Sequence, residues 1–166
     1  MAPRLRQIVR ARKSDVKIGA WGSGKVPKQA FPLAKKAYGL GNSYRWCVVS
    51  FLALGLEFRV LIVFNKGKEK YEAVLGVGIE TLSVLCSYEY HAGEPGWHCH
   101  AACADSATVP QGFRRGPWVR RLPAAKKTHS RLDFGSRDEN EALRFAFACY
   151  NIDVRGTELS QGSLQL

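Results

Sequence analysis

The sequence predicts an α+β domain, with an antiparallel sheet of about five strands and helices packed on one face, the arrangement that alternating strand pairs and helices favour. Three observations carry the prediction. Runs rich in β-branched and aromatic residues recur in pairs separated by short Gly-containing breaks. A late segment, residues 137–150, shows helical spacing behind a capping signal. The chain of 166 residues, 46% of them hydrophobic, is enough for one domain with a proper core and little beyond it.

Taken in order, residues 1–28 are polar, Gly-containing and aperiodic, so a basic flexible arm is expected there. "KQAFPLAKKAYGLG" (28–41) fits a short helix stopped by Gly39 and Gly41, with Pro32 tolerated in its first turn. "YRWCVVSFLALG" (44–55) and "EFRVLIVFNK" (57–66) are expected to pair as a hairpin, and "KEKYEAVLG" (68–76) to form a short helix ending at Gly76. "IETLSVLCSYEYH" (79–91) and "WHCHAAC" (97–103) make a second strand pair. A basic loop, 104–135, follows. Ser136 and Glu139 then form a capping box that opens helix 137–150. "NIDVR" (151–155) is expected as a last strand, closing a domain over 29–155, with 156–166 as a mobile tail.

Charge is the strongest bulk property. Twenty-five Lys and Arg against fourteen Asp and Glu give +11 and favour a polyanionic partner, nucleic acid first. Residues 1–36 carry ten of the basic groups against a single acid, Asp15. A second cluster sets Arg114, Arg115, Arg120, Arg121, Lys126 and Lys127 around Phe113 and Trp118. Guanidinium and ammonium groups pair with phosphates, and exposed rings can stack on bases of a single strand. Loop aromatics tucked into the core are the competing reading.

No apolar run approaches the roughly 18 residues that a spanning helix needs, so no membrane association is expected. The N-terminus lacks the apolar region of a signal peptide. The five cysteines include no C-x-x-C pair and read as reduced thiols of a cytoplasmic protein. "GAWGSGKV" (19–26) begins like a phosphate-binding P-loop, but Val26 replaces the hydroxyl that would ligate Mg²⁺ and Pro27 removes an amide. A Gly-rich turn is the better account.

The histidines are the sharpest local feature. Of four in the chain, His91, His98 and His100 fall within "YEYHAGEPGWHCHAAC" (88–103) beside Glu89. If "GEPG" (93–96) is the turn, His91 faces His98, Tyr90 faces Cys99 and Glu89 faces His100. Side chains alternate faces along a strand and opposite residues share one, so Glu89, His91, His98 and His100 project together. Cross-strand Cβ atoms about 5 Å apart allow such groups to converge on one ion. The mixed N/O donor set suits a divalent metal, Mn²⁺ or Mg²⁺ first, with Zn²⁺ and Fe²⁺ as further candidates. A one-residue slip would turn half the set away.

These residues resemble the HUH endonuclease superfamily of rolling-circle replication initiators, relaxases and related transposases. The resemblance lies in the metal motif: a strand with an acidic or histidine ligand, a Gly-containing turn, then His98-Cys99-His100. It implies an antiparallel sheet backed by helices and a metal held by His98, His100 and either Glu89 or His91. It also implies cleavage of single-stranded DNA by a tyrosine on a downstream helix, through a 5′-phosphotyrosyl intermediate. Tyr150 stands at the matching place, without the Tyr-x-x-Lys that the family often carries. It also shares a helical stripe with Leu143, Ala146 and Phe147, so a core tyrosine competes with a nucleophile. The alternatives are a metal-dependent nuclease using activated water and a non-catalytic nucleic-acid binder with a structural metal. A cupin-like enzyme fits less well, because its glutamate follows the H-x-H.

Overall fold

The computed structural model describes residues 1–33, 40–92, 94–124 and 138–153. It is an α+β fold dominated by one antiparallel sheet of eight strands. Helix α1 (Leu5–Arg10) comes first, then β1 (Ser14–Ile18) and β2 (Gly22–Ser23). The sheet continues as a meander of β3 (Arg45–Ala53), β4 (Leu56–Asn65), β5 (Lys70–Val77), β6 (Ser83–His91), β7 (Glu94–Ala102) and β8 (Val119–Leu122). Strands β1 and β2 both pair with β3, and helix α2 (Glu139–Tyr150) closes the described chain.

The expected hairpin 44–66 forms as β3 and β4, with Ala53 opposite Leu56. Its two central residues, Leu54 and Gly55, have φ of 53° and 74°, the pair of positive values that a type I′ turn requires. Segment 68–76, expected as a helix, is instead strand β5. Tyr71, Ala73 and Leu75 are buried on one of its faces, and Glu72 and Val74 on the other. A strand covered on both sides loses the alternation that identifies it in sequence, and Glu, Ala and Leu then read as helix formers.

The strand count also exceeds five because the ends contribute. Residues 1–28, where a flexible arm was expected, supply α1, β1 and β2, and Ile8 is buried in the core. Lys13 donates from Nζ to the carbonyls of Ile8, Val9 and Ala11, so this lysine caps a helix end. The loop after β7 supplies β8. Residues 28–30 form a turn, and the rest of the helix expected to follow lies mostly outside the described residues. Ser136 and the tail from 154 also lie outside them. Asp138 caps α2, its side chain accepting from the Glu141 amide at 2.9 Å. Asn151, expected to begin a strand, is the left-handed C-cap of α2 at φ 52°.

The sheet buries two clusters. One face packs Val49, Phe51, Phe58, Val60, Ile62, Tyr71, Ala73 and Leu75 against Ala142, Ala146 and Tyr150 of α2. The other gathers Val26, Phe31, Leu61, Val63, Val74, Leu82 and Val84. The β6–β7 end of this second face carries the polar groups described next.

Candidate metal centre

Three strands deliver the site. Glu72 of β5 stands opposite Glu89 of β6, and Glu89 stands opposite His98 of β7, so the three form a row across the sheet. The next row joins Ser87, His100 and Arg121 on β6, β7 and β8. The pairing differs from the expected one: Glu89 faces His98 rather than His100, and His91 faces Glu94 rather than His98. The cause is that β7 begins at Glu94, so the reversal is tighter than a 93–96 loop allows. Glu89 is offset by two residues and His91 by four, across an irregularity between Tyr90 and His91. Even offsets keep the side chains on their original face, which is why the histidine set survives the wrong register.

Glu89 is the hub. Its Oε2 lies 2.9 Å from Nε2 of His91, 3.8 Å from that of His98 and 3.9 Å from that of His100. Its Oε1 accepts from the Ser87 hydroxyl at 2.5 Å and from Arg114 at 3.2 Å, and pairs with Arg115. The carboxylate thus has one oxygen turned to imidazoles and the other held by cations and a hydroxyl. Glu89 is fully buried and His98 nearly so, whereas His91 and His100 reach solvent.

The electrostatics suit a cation. Burial alone would raise the Glu89 carboxyl, but hydrogen bonds from His91, Arg115 and Ser87, with the Arg114 charge, hold it well below the usual carboxylate range. Burial lowers His98, and burial with the Arg115 and Arg121 charges lowers His100 to about 4. Both rings are therefore neutral at pH 7, with a lone pair to offer. The His98 Nδ1 lies 3.4 Å from the Gly96 carbonyl, an acceptor that a proton on Nδ1 would satisfy, and its Nε2 is the ring atom turned to the Glu89 carboxylate.

Donor atoms of Glu89, His91 and His98 all lie within 4.8 Å of one another, so this group could hold a metal ion. Ligands about 2.1 Å from a shared ion sit roughly 3.0–3.5 Å apart in tetrahedral or octahedral geometry. The observed 2.9 and 3.8 Å from Oε2 bracket that separation. His100, with its Nε2 3.9 Å from Oε2 of Glu89, lies outside that group.

The remaining predicted residues divide. Arg114 bridges Glu89 and Glu72, the latter at 2.5 Å, and Arg115 pairs with Glu89. Arg121 shares the site face through its pairing with His100, but Arg120 pairs with Ala101 and projects from the opposite face. The stretch 120–121 is therefore not one patch. Trp118 packs against the core, while Phe113 is exposed with its ring 6.5 Å from that of Trp118. Lys126 and Lys127 lie outside the described residues.

Tyr150 is buried on the α2 face, where its hydroxyl donates to the Ala73 carbonyl at 2.6 Å. Burial, with neighbouring thiols, pushes its pKa well up. The sheet separates it from the imidazoles, so it does not join them in one site. Sequence reasoning missed Ser87 and Glu72. Ser87 was within reach, two residues before Glu89 and on the same face, but the helix expected over 68–76 hid Glu72.

No described helix is long and apolar enough to cross a membrane. Comparison with known protein families, with curated proteins and with solved structures yields no match for the chain.

Proposed function

We propose that the protein is a divalent-metal-dependent nuclease that hydrolyses phosphodiesters, with single-stranded DNA as its first substrate. One observation carries the reading: Oε2 of Glu89 faces three imidazole Nε2 atoms within 3.9 Å while Oε1 is pinned by Ser87, Arg114 and Arg115. Glu89, His91 and His98 would hold the ion. Three protein ligands leave a coordination position open, the pattern of catalytic rather than structural sites.

A bound divalent cation supplies Lewis acidity to a phosphate oxygen and acidifies water. The residues around it do the rest. Arg115, partly exposed, offers a planar fork to a phosphate, and Arg121 adds positive charge beside His100. Ser87 and Arg114 hold Glu89 in place, so its ligand oxygen is presented without a search through rotamers. The excess of eleven positive charges draws in a polyanion. Because Tyr150 is buried on the other face, we assign the attack to water rather than to this phenol.

The test is to incubate the protein with Mn²⁺ and an end-labelled single-stranded oligonucleotide. Scission that stops with chelator, leaves no covalent protein–DNA adduct and disappears in Glu89→Gln supports the reading. A phosphotyrosyl adduct would return the assignment to Tyr150. Salt-sensitive binding without scission under Mn²⁺, Mg²⁺ or Zn²⁺ would leave a nucleic-acid binder whose metal site is structural.

A further inference from the structure

Resting on the metal reading, we propose that this face binds its cation and a phosphodiester cooperatively, with Arg115 as the coupling residue. Glu89 serves two sets of positive charge at once, the ion position at Oε2 and the guanidiniums at Oε1. A dication at Oε2 draws on the same negative charge that now holds Arg115. It therefore weakens that ion pair and repels the guanidinium.

The two arginines differ in what they can do next. Arg114 is also bound to the buried Glu72 carboxylate at 2.5 Å, so it stays when Glu89 is shared with an ion. Arg115 has a side chain 46% exposed, and among the described residues its ion pair is with Glu89 alone. It is free to turn to an outside anion. Arg121 stands opposite His100 on the neighbouring strand, which places a second guanidinium-bearing residue on the His100 side of the site. A phosphodiester seated there would offer one oxygen to the ion and the other to the Arg115 fork.

Each ligand removes the obstacle to the other. The anion neutralises the charge that opposes the ion, and the ion frees the arginine that takes the anion. The coupling is reciprocal by linkage and of the usual size, a factor of about 5–150 in affinity.

The experiment is a calorimetric titration of the full chain with Mn²⁺, in dimethyl phosphate and in sodium chloride of equal ionic strength. Dimethyl phosphate is the smallest phosphodiester and carries no base, so a response to it assigns the effect to the phosphate. The wild type should bind Mn²⁺ about tenfold more tightly in dimethyl phosphate, within the range for allosteric coupling. Arg115→Gln should bind Mn²⁺ equally in both solutions. Arg120→Gln, the same change of charge on the opposite face, should retain the tenfold difference and controls for net charge and folding. Equal Mn²⁺ affinity in both solutions for the wild type would overturn the coupling while leaving the metal site standing. A difference that persists in Arg115→Gln would overturn the role of this residue. No Mn²⁺ binding under either condition would remove the metal reading and the coupling together.

Discussion

Glu89 and His98 stand directly opposite each other on β6 and β7, with the His98 Nε2 3.8 Å from the Glu89 carboxylate and both side chains buried. The pair sits in the sheet rather than on a loop, so ladder hydrogen bonds on both strands fix its geometry. A buried carboxylate is tolerated only when its charge is answered, and here Arg114, Arg115 and Ser87 answer it from one side. The other oxygen faces His91 at 2.9 Å, and also His98 and His100, two rings that burial and neighbouring cations keep neutral. With donor atoms of Glu89, His91 and His98 within 4.8 Å of one another, this arrangement could hold a metal ion.

Glu89→Gln keeps the shape and removes the charge. Mn²⁺ affinity should fall by more than the roughly 10–100-fold typical of losing a supporting partner, because the ligand itself is lost. The apo protein should be destabilised by about 1–3 kcal/mol, as charge-assisted hydrogen bonds disappear while the arginines keep partial access to water. Calorimetry and urea melts in chelator check the two effects separately. An unchanged Mn²⁺ affinity would show that the imidazoles bind the ion without the carboxylate.

The apo protein should lose stability as pH falls. His98 and His100 have folded pKa values below the ordinary histidine value, His100 at about 4. In that case the unfolded chain binds more protons than the folded one between about pH 6.5 and 4, so stability rises with pH across the window and declines on acidification. The Glu89 carboxyl, held well below its usual range, contributes its own loss only at lower pH. Melting temperatures measured in chelator from pH 7 to 4 should decline, and His100→Asn should flatten part of the slope. A flat profile over that range would mean that the two rings titrate as they do in water.

What was legible in the sequence follows from periodicity. The β3–β4 hairpin showed because its β-branched and aromatic runs flank a Gly turn. The donor cluster showed because face assignment needs only parity, which register errors of two residues at Glu89 and four at His91 preserve. Strand β5 did not show, since packing on both faces erases the alternation that would distinguish it from a helix. Arg114 and Arg115 were visible as charge, but their attachment to Glu72 and Glu89 depends on how the loop after β7 folds back over the sheet. Residues 1–28 looked aperiodic because β1 and β2 are short and their pairing partner, β3, lies more than twenty residues away.

Tyr150→Phe separates the two nucleolytic chemistries. The hydroxyl donates to the Ala73 carbonyl, while Tyr71 donates in return from β5 to the Ala142 carbonyl of α2 at 2.8 Å. These reciprocal bonds pin the helix to the sheet. Removing one buried bond should cost about 1 kcal/mol and lower the melting temperature by about 2–4 °C for a domain of this size. Mn²⁺ binding and metal-dependent scission should persist. Complete loss of scission in a folded Tyr150→Phe protein would make the phenol the nucleophile after all.

Thiol reactivity checks how the N-terminal segment is held. Cys47 on β3 is buried and donates to the Gly19 carbonyl at 3.1 Å, so residues after β1 lie over it. Burial and the Glu139 charge push its pKa up to about 12, and burial with the neighbouring Cys99 does the same for Cys149. At pH 8 both are protonated and poor nucleophiles, since the thiolate is the reactive form. Cys103 is exposed. Alkylation of native protein with iodoacetamide at pH 8, read by peptide mass spectrometry, should label Cys103 first and reach Cys47 only in denaturant. Were the first 28 residues a loose arm, Cys47 would lose its cover and label alongside Cys103. The order of labelling therefore reports whether β1 and β2 remain paired to β3 in solution.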